Sequence, residues 1–151
     1  MSQALPHQQQ GEVAYQTTRS VGAPVSTGFE WIVDATGCDP LKLARQTVLQ
    51  ALCDAVISDI QLNVIGSPQW HQFPSPGGAT GLYLLSESHL SCHSFPEHQL
   101  LTINLYCCRE HACWDWRPQL ECRLGATEVV LRKINRGIPA VNTSMTSGEL
   151  T

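Results

Sequence analysis

Two segments either side of a polar stretch carry patterns that a β-sheet accommodates best. Gly81-Leu82-Tyr83-Leu84-Leu85 is a nearly unbroken apolar run of strand length, preceded by the turn-forming Pro74, Pro76, Gly77 and Gly78. A run with no polar alternation suits a strand covered on both faces, which predicts a central place in a sheet. Leu100–Cys108 behaves differently: Leu101, Ile103 and Leu105 recur at every second position, the period of a strand with one face in the core.

The remaining elements follow from the same periods. Phe29-Glu30-Trp31-Ile32-Val33, Leu62-Asn63-Val64-Ile65 and Val129-Val130-Leu131 read as further strands. Asp39-Pro40 supplies an N-cap and a first-turn proline. Leu41, Ala44, Val48, Leu52 and Ala55 then recur at helical spacing, which predicts one helix of about four to five turns. Trp116, Leu120 and Leu124 mark one face of a second helix, stopped by Gly125; Trp114 and Trp116 are assigned to its packing. Successive strands interrupted by only two helices lack the strict alternation of a parallel sheet. The expected fold is therefore α+β, a two-layer sandwich with helices on one face of a mainly antiparallel sheet. Residues 1–27 have no apolar period and are expected to form a mobile tail. Residues 28–137 are expected to form a single domain, and 138–151 a loose end.

A chain of 151 residues that is 42% hydrophobic can bury a core without disulfides or metal. Its formal charge of −4 argues against nucleic acid or an anionic membrane as a partner. No membrane-spanning or export pattern stands out, so the expected location is the cytoplasm. In that setting the seven cysteines are mostly reduced packing residues, with room for one that is chemical.

Reactive side chains concentrate between Ser86 and Cys113: Ser86, Glu87, Ser88, His89, Cys92, His93, Glu97, His98, Cys107, Cys108, His111 and Cys113. Spacing alone favours a polar hairpin beside a core. Cys108-x4-Cys113 and His89-x3-His93 do not make the paired signature of structural zinc, so no metal is expected. No G-x-S-x-G elbow surrounds Ser86 or Ser88 to support hydrolase chemistry.

The block Ser86-Glu87-Ser88-His89-Leu90-Ser91-Cys92-His93-Ser94-Phe95-Pro96-Glu97-His98 closely resembles the processing site of bacterial S-adenosylmethionine decarboxylase proenzymes. The resemblance extends from about Phe29 to Gly137. It includes Gly37-Cys38-Asp39, His71-Gln72-Phe73 and Leu105-Tyr106-Cys107-Cys108. It implies cleavage between Glu87 and Ser88, with the Ser88 hydroxyl attacking the Glu87 carbonyl to give an ester. β-Elimination and hydrolysis with loss of ammonia then leave a pyruvoyl group, the covalent cofactor, which binds the substrate amine as a Schiff base and draws off the electrons released with CO2. His93 is implied as the proton acceptor in processing, Cys108 as the proton donor in catalysis, and Thr80 as a supporting hydroxyl. Phe73 is implied to stack on adenine, and Glu97 to bind the ribose. Adjacent Cys107 is expected on the other side of its strand. Ser88 and His93, five residues apart, would face opposite ways on an uninterrupted strand, so either a bulge intervenes or His93 reaches its target differently. A homodimer of processed protomers, with sites near the interface, is also implied.

Several positions depart from the resemblance. Gly28-Phe29-Glu30 stands for Gly-Arg-His, Gln99-Leu100 for Gly-Tyr, Asn104 for Asp, and Cys107-Cys108-Arg109 for Thr-Cys-Gly. The self-processing residues survive these changes, while some residues around the substrate do not. Conversion of S-adenosylmethionine to its decarboxylated form, for spermidine biosynthesis, is the expected activity. Arginine or ornithine is an alternative substrate, since Glu30 is a new carboxylate that would suit a cationic tail. A non-catalytic regulatory subunit is a minor alternative.

Overall fold

The computed structural model describes residues 27–137, so the expected tails 1–27 and 138–151 lie outside the described residues except for Thr27, whose N–H donates to the Arg136 carbonyl at 3.0 Å. Among the described residues six strands form one sheet, β1 (Gly28–Thr36), β2 (Gln69–Gln72), β3 (Ala79–Leu85), β4 (Ser88–Phe95), β5 (Leu100–Cys107) and β6 (Glu128–Arg136). Their order is β2-β3-β4-β5-β1-β6 and every pairing is antiparallel. Helices α1 (Pro40–Leu43), α2 (Gln46–Asp59) and α3 (Trp116–Leu124) pack on one face, as the α+β sandwich requires. None of the described helices is long and apolar enough to cross a membrane.

The core lies between the sheet and the helices. Trp31, Val33 and Ala35 of β1, Leu101, Ile103, Leu105 and Cys107 of β5, and Leu90 and Cys92 of β4 all turn inward. Cys38, Cys53, Cys92 and Cys107 are buried free thiols, whereas Cys108, Cys113 and Cys122 are exposed. Trp116, Leu120 and Leu124 are buried on α3, which Gly125 ends at φ 71°, a left-handed conformation that costs glycine little.

Four expectations need correction. The first helix is two helices: Asp39 caps α1 by accepting from Leu41 N–H at 2.8 Å, but Arg45 is extended and interrupts the helical path. Gln72 of β2 bridges that break, accepting from Gln46 N–H at 2.9 Å and donating to the Ala44 carbonyl at 3.1 Å. The interruption rotates the buried face onto Leu43, Leu49, Leu52, Cys53 and Val56, leaving Leu41 75% exposed.

Leu62–Ile65 is no strand; only Val64 bridges to Leu85, and the edge is taken by β2. Trp70 of β2 lies across Gly81, where a Cβ would come within 2.5 Å of the indole, so this glycine makes room for the ring. The apolar β3 is next to that edge, and Leu82 and Leu84 point to the face opposite the helices, 48% and 58% exposed. Finally, the polar stretch after Ser86 is itself a strand, β4, with Leu90, Cys92 and Ser94 inward and Ser91 and His93 on the open face. Its polar sequence hides the alternation because only half its positions need be apolar.

Candidate active site

Ser86 and Glu87 form the two-residue connection between β3 and β4, closed by the Leu85–Ser88 pair. Tight hairpins usually place positive φ on loop residues. Here Ser88 carries it instead, with φ 147°, a conformation that costs a non-glycine residue about 1–3 kcal/mol. The peptide between Glu87 and Ser88 therefore runs into strained backbone.

Three consecutive residues embrace it. Cys107 pairs with Ser88, the Cys108 N–H donates to the Glu87 carbonyl at 2.8 Å, and Arg109 Nη2 donates to Glu87 Oε1 at 2.6 Å. The Ser88 hydroxyl shares a 2.9 Å hydrogen bond with His89 Nδ1. Glu87 has a fully buried carboxylate, also bonded by Asn63 Nδ2 at 3.0 Å. Burial pushes this carboxyl up, but hydrogen bonds from Asn63, Ser86 and Arg109 outweigh it and hold it down to about 2. Cys107 is buried and Cys108 exposed, on opposite sides as expected; burial pushes the Cys107 thiol up to about 11.

The other expected residues gather at the far end of β4. His93 pairs with Thr80, and their side chains share a 2.6 Å hydrogen bond. A cleft of about 330 Å³ lies beside them, lined by His93, Phe73, Phe95 and Glu97 with the Pro74–Gly77 turn. Phe73 meets the His93 ring edge-on at 5.5 Å, and Phe95 packs against the same imidazole at 4.3 Å. Phe95 was not singled out in the sequence, though its alternation with His93 on β4 could have drawn attention to it.

No bulge intervenes between the two groups. Ser88 through Phe95 pair one-for-one with Cys107 through Leu100. Five strand residues span about 17 Å, so His93 and Ser88 of one chain are well apart. Glu30 belongs to neither group: it pairs with Arg136 and accepts from Asn104 Nδ2 at 3.3 Å. Asn63 and Arg109 were missed as site residues; Arg109 was visible only as a departure from the resembled pattern.

Known proteins share both sequence and fold. A profile of the S-adenosylmethionine decarboxylase family matches residues 29–137. The S-adenosylmethionine decarboxylase proenzyme of Picrophilus torridus is 33% identical over 114 residues, covering 75% of this chain and 86% of that one. The proenzyme of the same name from Thermoplasma acidophilum is 34% identical over 114 residues, with the same shares. The crystal structure of the adenosylmethionine decarboxylase from Aquifex aeolicus aligns with a TM-score of 0.61 at 29% identity, covering 75% of this chain and 92% of that one.

Proposed function

The chain belongs to the S-adenosylmethionine decarboxylase family, and from that premise we propose that it cuts itself between Glu87 and Ser88, converts Ser88 to a pyruvoyl group, and decarboxylates S-adenosylmethionine. The observation that carries this reading is the scissile peptide itself. Its carbonyl is polarised by the Cys108 N–H at 2.8 Å, and the strained Ser88 follows it. A donor in that position stabilises the oxyanion that forms when Ser88 Oγ adds to the Glu87 carbon. The C–N bond then breaks, the nitrogen leaves as the Ser88 amine, and His89 Nδ1 is within reach of the hydroxyl proton. Loss of the Ser88 Cα proton then breaks the ester bond at Ser88 Cβ, and the main-chain α-carboxylate of Glu87 leaves as the new C-terminus. Hydrolysis of the resulting dehydroalanine releases ammonia to complete maturation.

The surroundings of Ser88 fit the group that would form there. A pyruvoyl ketone supplies an electron sink for the bond that releases CO2. The exposed Cys108 is the side chain we assign as proton donor to the carbon left behind. Phe73 supplies a face for adenine and Glu97 a carboxylate for the ribose hydroxyls, both on the cleft that His93 lines. Glu30 is already engaged by Arg136 and Asn104, which disfavours it, though not Glu97, as the partner of a cationic arginine or ornithine tail.

The separation of Ser88 from His93 bears on assembly. The site we read as working together is split between the two ends of β4. Leu82, Leu84, Val130 and Ile134 leave apolar area on the open sheet face. By register Ser88 lines up with the inward Leu85 and Cys107, but its hydroxyl bonds His89 of the open face. A homodimer packing these faces about a two-fold axis would therefore bring His93 and Thr80 of one protomer toward that end of its partner's β4. His93 would then take the Cα proton across the interface.

Intact-mass analysis of purified protein, followed by CO2 release from S-adenosylmethionine, tests the activity. Folded protein that keeps one uncut chain would overturn the reading. Light scattering tests the assembly, which a fully active monomer would refute.

A further inference from the structure

Among the described residues, Glu87 carries the one buried charged side chain, and the acyl shift does not use it. The reaction needs only the Glu87 carbonyl and the Ser88 hydroxyl. A buried carboxylate is costly unless several donors meet it. Here they do: Arg109 Nη2 at 2.6 Å, Asn63 Nδ2 at 3.0 Å and the Asn63 backbone N–H at 3.4 Å. Asn63 also accepts from the Ser86 N–H at 2.9 Å, so it grips two successive residues before the scissile bond.

These contacts share one geometry. Cys107, Cys108 and Arg109 continue a single path, and successively hold Ser88, the Glu87 carbonyl and the Glu87 carboxylate. Freeing the carboxylate would let the two-residue connection relax, since Ser88 stays at φ 147° only while its surroundings impose it. We propose that Arg109, with Asn63, is a positioning residue for self-cleavage: by pinning the Glu87 carboxylate it keeps the Glu87 carbonyl on the Cys108 N–H and Ser88 in its strained, attack-ready backbone. This inference rests on the self-processing reading above. Arg109 itself touches no reacting atom in the described contacts and acts through Glu87.

Its guanidinium is accessible, with the side chain 62% exposed, so a small soluble cation can reach the same place. The experiment uses the full chain made by cell-free synthesis, with cleavage followed over time by intact mass. Arg109→Ala is expected to cleave on the order of ten- to a hundred-fold more slowly than wild type, the scale for a slightly misplaced reacting group. Added methylguanidinium should restore part of the rate, and Arg109→Lys should lie between the two. In a Glu87→Gln background Arg109→Ala should slow cleavage little further, because the charge it pins is gone. Wild-type rate in Arg109→Ala, or slowing indifferent to methylguanidinium and to lysine, would overturn the proposal. Should Arg109→Ala fail to fold, Arg109→Lys decides, and cleavage at the wild-type rate sinks the clamp. A wild-type chain that never cleaves would instead sink the self-processing reading.

Discussion

Acid should strip the uncut chain of the stabilisation that Glu87 supplies, and the structure sets its size. The carboxyl is held at about 2 against an ordinary 4.5, so the folded state favours the ionised form. A depressed folded value contributes stability above the unfolded value, and that contribution fades as pH falls through 4.5 toward 2. The difference corresponds to about 3 kcal/mol at neutral pH. This is an upper figure, because Arg109 is largely in solvent and its share is screened. At most about 2 kcal/mol, and about 1 kcal/mol after screening, should vanish between roughly pH 7 and 3. Ser88→Ala gives a single uncut chain for equilibrium unfolding in urea, followed by far-ultraviolet circular dichroism. The same chain carrying Glu87→Gln subtracts the other carboxylates. The stability gap between the two should narrow steadily below about pH 4.5. A gap that stays constant from neutral pH to about 3 would refute the reasoning.

Three further outcomes are expected. Wild-type protein should yield fragments of residues 1–87 and 88–151, the second blocked to Edman degradation, whereas Ser88→Ala should remain whole by mass spectrometry. Mixing Ser88→Ala with His93→Ala should restore cleavage, confined to the His93→Ala chain; hydroxylamine should reveal whether that variant alone stalls as an ester, and normal pyruvoyl formation in it would remove His93 from the base role. Phe73→Ala should weaken S-adenosylmethionine binding by up to about 3 kcal/mol while Glu30→Gln changes it little; measuring CO2 release from S-adenosylmethionine, arginine and ornithine checks both, and activity confined to the amino acids would exclude the preferred substrate.

Much of this protein is legible in one dimension because its determinants are local. The two-residue period at Leu101, Ile103 and Leu105 requires a one-faced strand, and Asp39-Pro40 starts a helix through its own side chain and ring. The block from Ser86 to His98 carries the resemblance to the family because the proposed self-cleavage needs a hydroxyl immediately after the broken bond, a relation of adjacent residues. What depends on distant partners was decided only in three dimensions. Arg45 breaks the helix where Gln72 takes over its exposed backbone groups, and that turns Leu41 outward. An apolar run cannot say how many of its faces the fold covers, so Leu82 and Leu84 lie on the open side. Nor could spacing show that an unbulged β4 carries Ser88 and His93 about 17 Å apart, or that Asn63 and Arg109 converge on Glu87. Those facts arise from register and burial, which pairing between remote segments alone can set.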